Sequence, residues 1–189
     1  MISSGFRRLR SAADSLADVG ATLEHAASRE EVGYLVLLDV QHAFDGLPHT
    51  TIIQTLPELR VTGRLFDYVA AVLSNRTLGV RVGDVLSAPR SLTSGVPQGS
   101  VITPFLFNLA LARLPDYIPK MTAHEVRVAI YADGIAPFAC GPTGLGFQVR
   151  ESLQSAINAV DEYLASIGLQ LSASKTETLL VHPRCPGVL

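Results

Sequence analysis

The stretch that most limits how this chain can fold is VGYLVLLDV, residues 32–40, an unbroken apolar run broken only by the acid Asp39 near its end. A Val- and Leu-rich run of this length reads as a buried strand, and Asp39 closes it. A second stretch, VAIYADGIAPFACG at residues 128–141, folds back on itself. Asp-Gly between two alternating apolar runs is a strong hairpin signal, so the bend is expected at Asp133-Gly134. That bend carries a second carboxylate. With the two strands side by side, Asp39 and Asp133 would meet at one sheet edge, where converging carboxylates are the hard oxygen ligands that Mg²⁺ takes. Spacing alone does not make the strands neighbours.

The remaining segments supply cover for such a sheet. Leu16, Val19 and Leu23 recur at helical spacing over residues 11–27, with Ser11 as a cap and Asp14 three residues on. Residues 49–59 and 63–74 read as two helices, the second with Leu65, Val69, Val72 and Leu73 on one face. TLGVRVGDVLSAPRSL reads as a hairpin turning at Gly83-Asp84. The turn-rich SGVPQGS leads into an apolar helix over residues 104–114. A long helix follows, with Val149, Leu153, Ile157, Val160, Leu164 and Ile167 in register and Gly168 as its stop. TETLLVHP is a last short strand. GPTGLG, residues 141–146, lacks the Lys-Ser/Thr of a phosphate-binding loop and reads as plain loop. Helices and hairpins without strict β-α-β alternation predict an α+β fold, an antiparallel sheet covered by helices on one face.

Composition narrows the function classes. With 48% apolar and 17% charged residues in 189, the chain holds one sizeable core. No apolar run approaches the roughly eighteen residues of a bilayer span, and MISSGFRRLRSAAD lacks a signal-peptide core, so no membrane partner is expected. Cys140 and Cys185 have no ligand-like spacing and are expected as free thiols without a disulfide partner, in an intracellular compartment, nucleus or cytoplasm. A net charge of −2 argues against strong nonspecific binding of nucleic acid. Of the 15 basic residues only Lys120 and Lys175 are lysines. The clusters Arg7, Arg8, Arg10 and Arg76, Arg81, Arg90 read either as phosphate grips or as solvated faces.

Four phrases, LLDVQHAFDGLPH, SGVPQGSVITPFLFNLAL, IYADGIAPFACG and GLQLSASKTETLL, follow one another in this order. Together they resemble the successive motifs of reverse transcriptases of non-LTR (LINE-type) retrotransposons, and GFRRLRSAADSLADV resembles the fingers segment upstream. The resemblance covers nearly the whole chain. It implies a polymerase palm with part of the fingers: residues 1–31 fingers-like, residues 32–189 palm with inserted fingers-side elements, and the thumb absent. The implied activity is RNA-directed DNA synthesis with two Mg²⁺ ions, an RNA template, a DNA primer and deoxynucleotides.

Residue by residue, the resemblance makes Asp39 the first metal-binding aspartate, with Val40 offering its backbone carbonyl. Phe44 matches the bulky ring that excludes a 2′-hydroxyl. Gln98 and Gly99 match the loop against the incoming nucleotide and template. Asp133 matches the first aspartate of a paired-aspartate turn, and Lys175 the lysine that protonates departing pyrophosphate. Two positions depart from the pattern. Gly134 stands where the second aspartate of the turn belongs, and Pro137, which cannot donate to a ladder, stands where a strand residue is usual. Asp45 belongs to the turn after the first strand and is not expected to replace the missing acid. The expectation is an inactive copy. Its rivals are a working polymerase that relies on Asp39 and Asp133, and a noncatalytic nucleic-acid-binding or interaction module built on the palm.

Overall fold

Along the chain the computed structural model forms β1 (Ile2–Ser3), α1 (Ala12–Ser28), β2 (Glu31–Gln41), α2 (His49–Glu58), α3 (Arg64–Leu73), β3 (Thr77–Leu78), β4 (Arg81–Val82), β5 (Val85–Leu86) and β6 (Arg90–Ser91). Then come α4 (Thr103–Ala110), α5 (Leu114–Tyr117), β7 (Val126–Tyr131), β8 (Gly134–Pro142), α6 (Gly146–Ser166), β9 (Gln170–Leu171) and β10 (Glu177–Val181). The structure describes residues 2–3, 12–97 and 99–183; Arg7, Arg8, Arg10, Ser11, Gln98 and Cys185 lie outside the described residues. The chain divides into two units, Met1–Gln41 with Ala112–Leu189, and His42–Leu111.

The first unit is built on one sheet in the order β1-β7-β8-β2-β10, with β9 also paired to β2. Every pairing is antiparallel except the two-residue β1–β7 contact. The apolar run is therefore central, with helices against both faces, although Leu37 on the α1 side stays exposed. Even-numbered Val32, Val36, Leu38 and Val40 are all buried. Tyr34 and Val32 lie beside the start of α6 at Gly146. Val149, Leu153, Val160 and Leu164 line the apolar stripe of α6 and are buried, and Gly168 at φ +80° follows the helix. Helix α1 sits over the other face, where Val19 and Leu23 pack with Ala129, Phe138, Leu35 and Cys140. Gly33 permits that approach, since a Cβ there would lie 2.8 Å from Leu23 Cδ2. The α+β class with an antiparallel sheet thus stands. Its helical cover lies on both faces, α6 over one and α1 over the other, rather than on one alone.

The second unit packs α2 with α3 and with α4, burying Ile52, Leu56, Val69, Leu73, Leu106 and Phe107. Between α3 and α4 runs an arm of paired short strands, β3 with β6 and β4 with β5, with Gly83 at φ +60° in the expected Gly83-Asp84 turn. The anticipated helix over residues 104–114 ends earlier, at Ala110, and a short separate helix follows from Leu114. Pro115 explains the break, because in a continuous helix it would have no N–H for the Leu111 carbonyl and its ring would clash with that carbonyl; at the start of a new helix neither matters.

Candidate active site

Strand pairing settles what spacing could not. Asp39 on β2 is the direct partner of Gly134 on β8, so Asp133, the next residue back, comes to the same sheet end. The hairpin itself is shifted by one residue from expectation. Tyr131 pairs with Gly134, which leaves Ala132 and Asp133 as the two loop residues and makes Gly134 the first residue of β8. The positive φ that a tight turn needs is carried by Ala132, at +52°, while Gly134 has ordinary backbone. Gly134 is exposed, and a Cβ built on it would meet only the Tyr131 carbonyl, at 3.3 Å. Its lack of a side chain is not something the turn requires.

Around Asp39 the contacts are few. Its carbonyl accepts a hydrogen bond from the Ser172 N–H at 2.8 Å, on the side of β9. Successive strand residues aim their backbone groups to opposite sides, so buried Val40, paired with Leu171, turns its carbonyl toward β8 and the Asp133 turn. Asp39 Oδ2 is buried and accepts no hydrogen bond. Lys175 Nζ stands 3.2 Å from it, an ion pair outside hydrogen-bond geometry. The lysine side chain is 70% exposed, so solvent screens the pair to about 0–1 kcal/mol. Lys175 ends a 3-10 turn, Ala173–Lys175, that hangs from the β9 pairing. Asp39, Val40, Asp133 and Lys175 thus gather at one end of the first unit's sheet.

Among the described residues no three or more His, Cys, Asp or Glu side chains form a group able to hold a metal ion. Asp39 and Asp133 are a two-acid set. Asp39 Oδ2 accepts no hydrogen bond but already faces the Lys175 ammonium at 3.2 Å, so a metal cation would have to displace that charge, which fits a weak single-ion site better than a full one. Pro137 is buried in β8, and the β2–β8 ladder is interrupted at Val36 and Leu37, opposite Pro137 and Ala136. A missing N–H at Pro137 accounts for that gap, since it removes the donor for the Val36 carbonyl.

Phe44 and Gly99 belong to the second unit and line one open pocket with Ser100, Val101, Thr103 and Pro104. The Phe44 ring tilts against Phe107 at 5.2 Å between centroids. Gly99 has φ +81°. Arg76 leaves its sequence cluster: it is half-buried and donates from Nη1 to the Gly95 carbonyl at 2.7 Å, while Arg81 and Arg90 are exposed. His49 Nε2 reaches the same oxygen at 2.8 Å. Neither partnership was visible in the sequence, where the histidine is one letter of a longer motif and the arginine one member of a charge run. Among the described residues no helix is long and apolar enough to cross a membrane.

Residues 2–186 match the family described as reverse transcriptase (RNA-dependent DNA polymerase). The chain is 27% identical over 189 residues to the RNA-directed DNA polymerase from mobile element jockey of Drosophila melanogaster, covering 97% of this chain and 20% of that protein. It is 30% identical over 181 residues to the Retrovirus-related Pol polyprotein from type-2 retrotransposable element R2DM of the same organism, covering 93% of this chain and 16% of that one. The chain therefore spans a fifth or less of the length of these relatives. In fold it is similar to apo telomerase from Candida tropicalis truncated from its C-terminal domain, with a TM-score of 0.64 at 12% identity over 94% of this chain and 36% of that one.

Proposed function

Because this chain belongs to the reverse transcriptase (RNA-dependent DNA polymerase) family, as a partial domain of the non-LTR retrotransposon type, we propose that it is a template-directed polymerase palm whose metal site has fallen to two acids and which no longer extends a primer. The observation that supports this reading is the Asp39–Gly134 pairing, which brings Asp133 to the sheet end that carries Asp39; the resemblance gives Gly134 the position of the third acid. Asp39 and Asp133, with the Val40 carbonyl, would hold one divalent cation. When bound, such a cation supplies charge for the phosphoryl oxygens of an incoming deoxynucleotide. Lys175, ion-paired with Asp39, would give a proton to departing pyrophosphate. Phe44, Gln98 and Gly99 are the nucleotide-facing group, with the Phe44 ring selecting against a 2′-hydroxyl and the RNA template and DNA primer as partners.

Losing one charged group aimed at a developing transition state costs on the order of 2–4 kcal/mol. That is roughly thirty- to a thousandfold in rate. The same glycine favours a second reading, a noncatalytic nucleic-acid-binding module that keeps the palm without its chemistry. Titration calorimetry with Mg²⁺ on the wild type, Gly134→Asp and Asp133→Asn, together with labelled-deoxynucleotide incorporation on an RNA template, tests both. The expected result is weak Mg²⁺ binding, about tenfold tighter in Gly134→Asp and lost in Asp133→Asn, with no wild-type extension. Equal affinity in all three proteins removes the metal site from this hairpin. Mg²⁺-dependent extension by the wild type, abolished by Asp133→Ala, replaces the proposal with an active two-acid polymerase.

A further inference from the structure

Within the second unit, one backbone oxygen collects two side chains from different elements. The Gly95 carbonyl accepts from His49 Nε2 at 2.8 Å and from Arg76 Nη1 at 2.7 Å. A carbonyl has two lone pairs, and here both are taken. His49 opens α2 and Arg76 follows α3, so the two donors are fixed by separate helices. The backbone around the acceptor is laced to the segment that carries Phe44. The N–H groups of Gly95 and Val96 donate to the carbonyls of Leu47 and Phe44 at 2.8 and 2.9 Å, and the His49 N–H donates to the Thr93 carbonyl at 3.0 Å. Gly95 sits at φ +85° with its missing Cβ only 3.0 Å from the Asp45 carbonyl oxygen, so any side chain there is strained and crowded against backbone.

Such a glycine is needed for the geometry but does little to hold it, because glycine rotates more freely than any other residue. The conformation must be fixed from outside. Downstream of Gly95 the chain is held a second time, where the Thr103 hydroxyl donates to the Pro97 carbonyl and the Ser100 N–H donates to the same carbonyl at 3.1 Å. Between the two anchors lies Gly99, which shares its open pocket with Phe44. A turn of the Gly95 peptide would break the lacing to Phe44 and carry Val96 and Pro97 with it.

We propose that His49 and Arg76 are positioning residues that clamp the Gly95 carbonyl and so hold the Gly95–Pro97 backbone, and with it Gly99 beside Phe44, in the shape that receives a deoxynucleotide. The assignment rests on the reading of Phe44 and Gly99 as nucleotide-facing. The guanidinium contributes a charge-assisted bond, about twice as strong as a neutral one. The imidazole donates from Nε2 and adds a second, independent restraint on the same oxygen.

Amide hydrogen exchange on the full chain, read by NMR, tests the clamp directly, and titration with a fluorescent N-methylanthraniloyl deoxynucleoside triphosphate tests its consequence. His49→Ala and Arg76→Ala are expected to speed exchange at Gly95 and Val96 about tenfold, the effect of losing one such bond. Amides of β7 and β8 in the other unit should keep their protection. Nucleotide affinity is expected to fall by a similar factor. His49→Gln, whose amide can still donate, should recover both readouts, whereas Arg76→Lys, a point charge without the planar fork, should recover them less. If the alanine variants lose protection everywhere, the two conservative variants decide, with the same ranking expected. Unchanged exchange at Gly95 and Val96 in folded His49→Ala and Arg76→Ala overturns the clamp. A wild type that binds no nucleotide overturns the functional reading and the role given to the Gly95–Pro97 backbone, while exchange still reports whether that backbone is clamped.

Discussion

Ala132 holds φ at +52°, in the left-handed region that costs a residue with a Cβ about 1–2 kcal/mol. Ala132→Gly is therefore expected to stabilise the chain by about 0.5–1 kcal/mol after the glycine's greater unfolded freedom is subtracted. An unchanged or lowered urea midpoint would count against the strained turn. Cys140 gives a second handle. Burial pushes its thiol pKa up from 9.0, the Glu31 charge adds to the shift, and Arg127 opposes it. The folded state keeps the thiol protonated where the unfolded chain would ionise. That leaves stability unaffected by Cys140 below the unfolded value and makes it fall as pH rises past 9.0. Denaturation midpoints across pH 8–10 (a range chosen to bracket that value) should decline in the wild type and decline less in Cys140→Ala. Parallel curves would show that the thiol is not the group responsible.

At the scale of elements, β8 carries a proline where a central strand should have none. The interruption of the β2–β8 ladder begins opposite Pro137 and ends before Leu38–Ile135 and Asp39–Gly134 pair again. Pro137→Val supplies the absent donor to the Val36 carbonyl in a buried position and is expected to stabilise the sheet by about 0.5–1.5 kcal/mol. A new, slowly exchanging amide at position 137 would accompany it; a fast one would place the gap elsewhere. How far such elements were legible depended on their period. β2, α3 and α6 announce themselves through continuous or helical apolar spacing, and their bounds fall within a residue or two of expectation. The hairpin was legible as a hairpin, but its turn was not, because Asp-Gly chemistry points to Gly134 while the β7–β8 register places the bend at Ala132 and Asp133. Covering both faces of the sheet depends on α1 meeting Gly33 closely, a contact that no local pattern reveals. The clamp on Gly95 escaped notice for the same reason: it joins three segments through one main-chain oxygen.

For the whole molecule, each unit has its own core, and the arm of the second leaves Leu78, Val80, Val82, Val85 and Leu86 exposed. Val82 and Val85 pair across its turn and are 75% and 72% exposed. Replacing both by glutamate, which moves the net charge of −2 further from zero, is expected to change stability by less than about 0.5 kcal/mol per site while raising solubility. A large loss of stability would mean that the arm packs against something in solution. Asp39 and Asp133, by contrast, owe their meeting to strand pairing alone, and Gly134 between them is exposed with ordinary backbone. Folding therefore asks only that the Tyr131 carbonyl give by a few tenths of an ångström when a side chain stands at position 134. On the reading proposed above, an exchange of acid for glycine there leaves the fold in place and touches the chemistry alone, so a lineage freed from selection on that chemistry would lose it before it lost its shape.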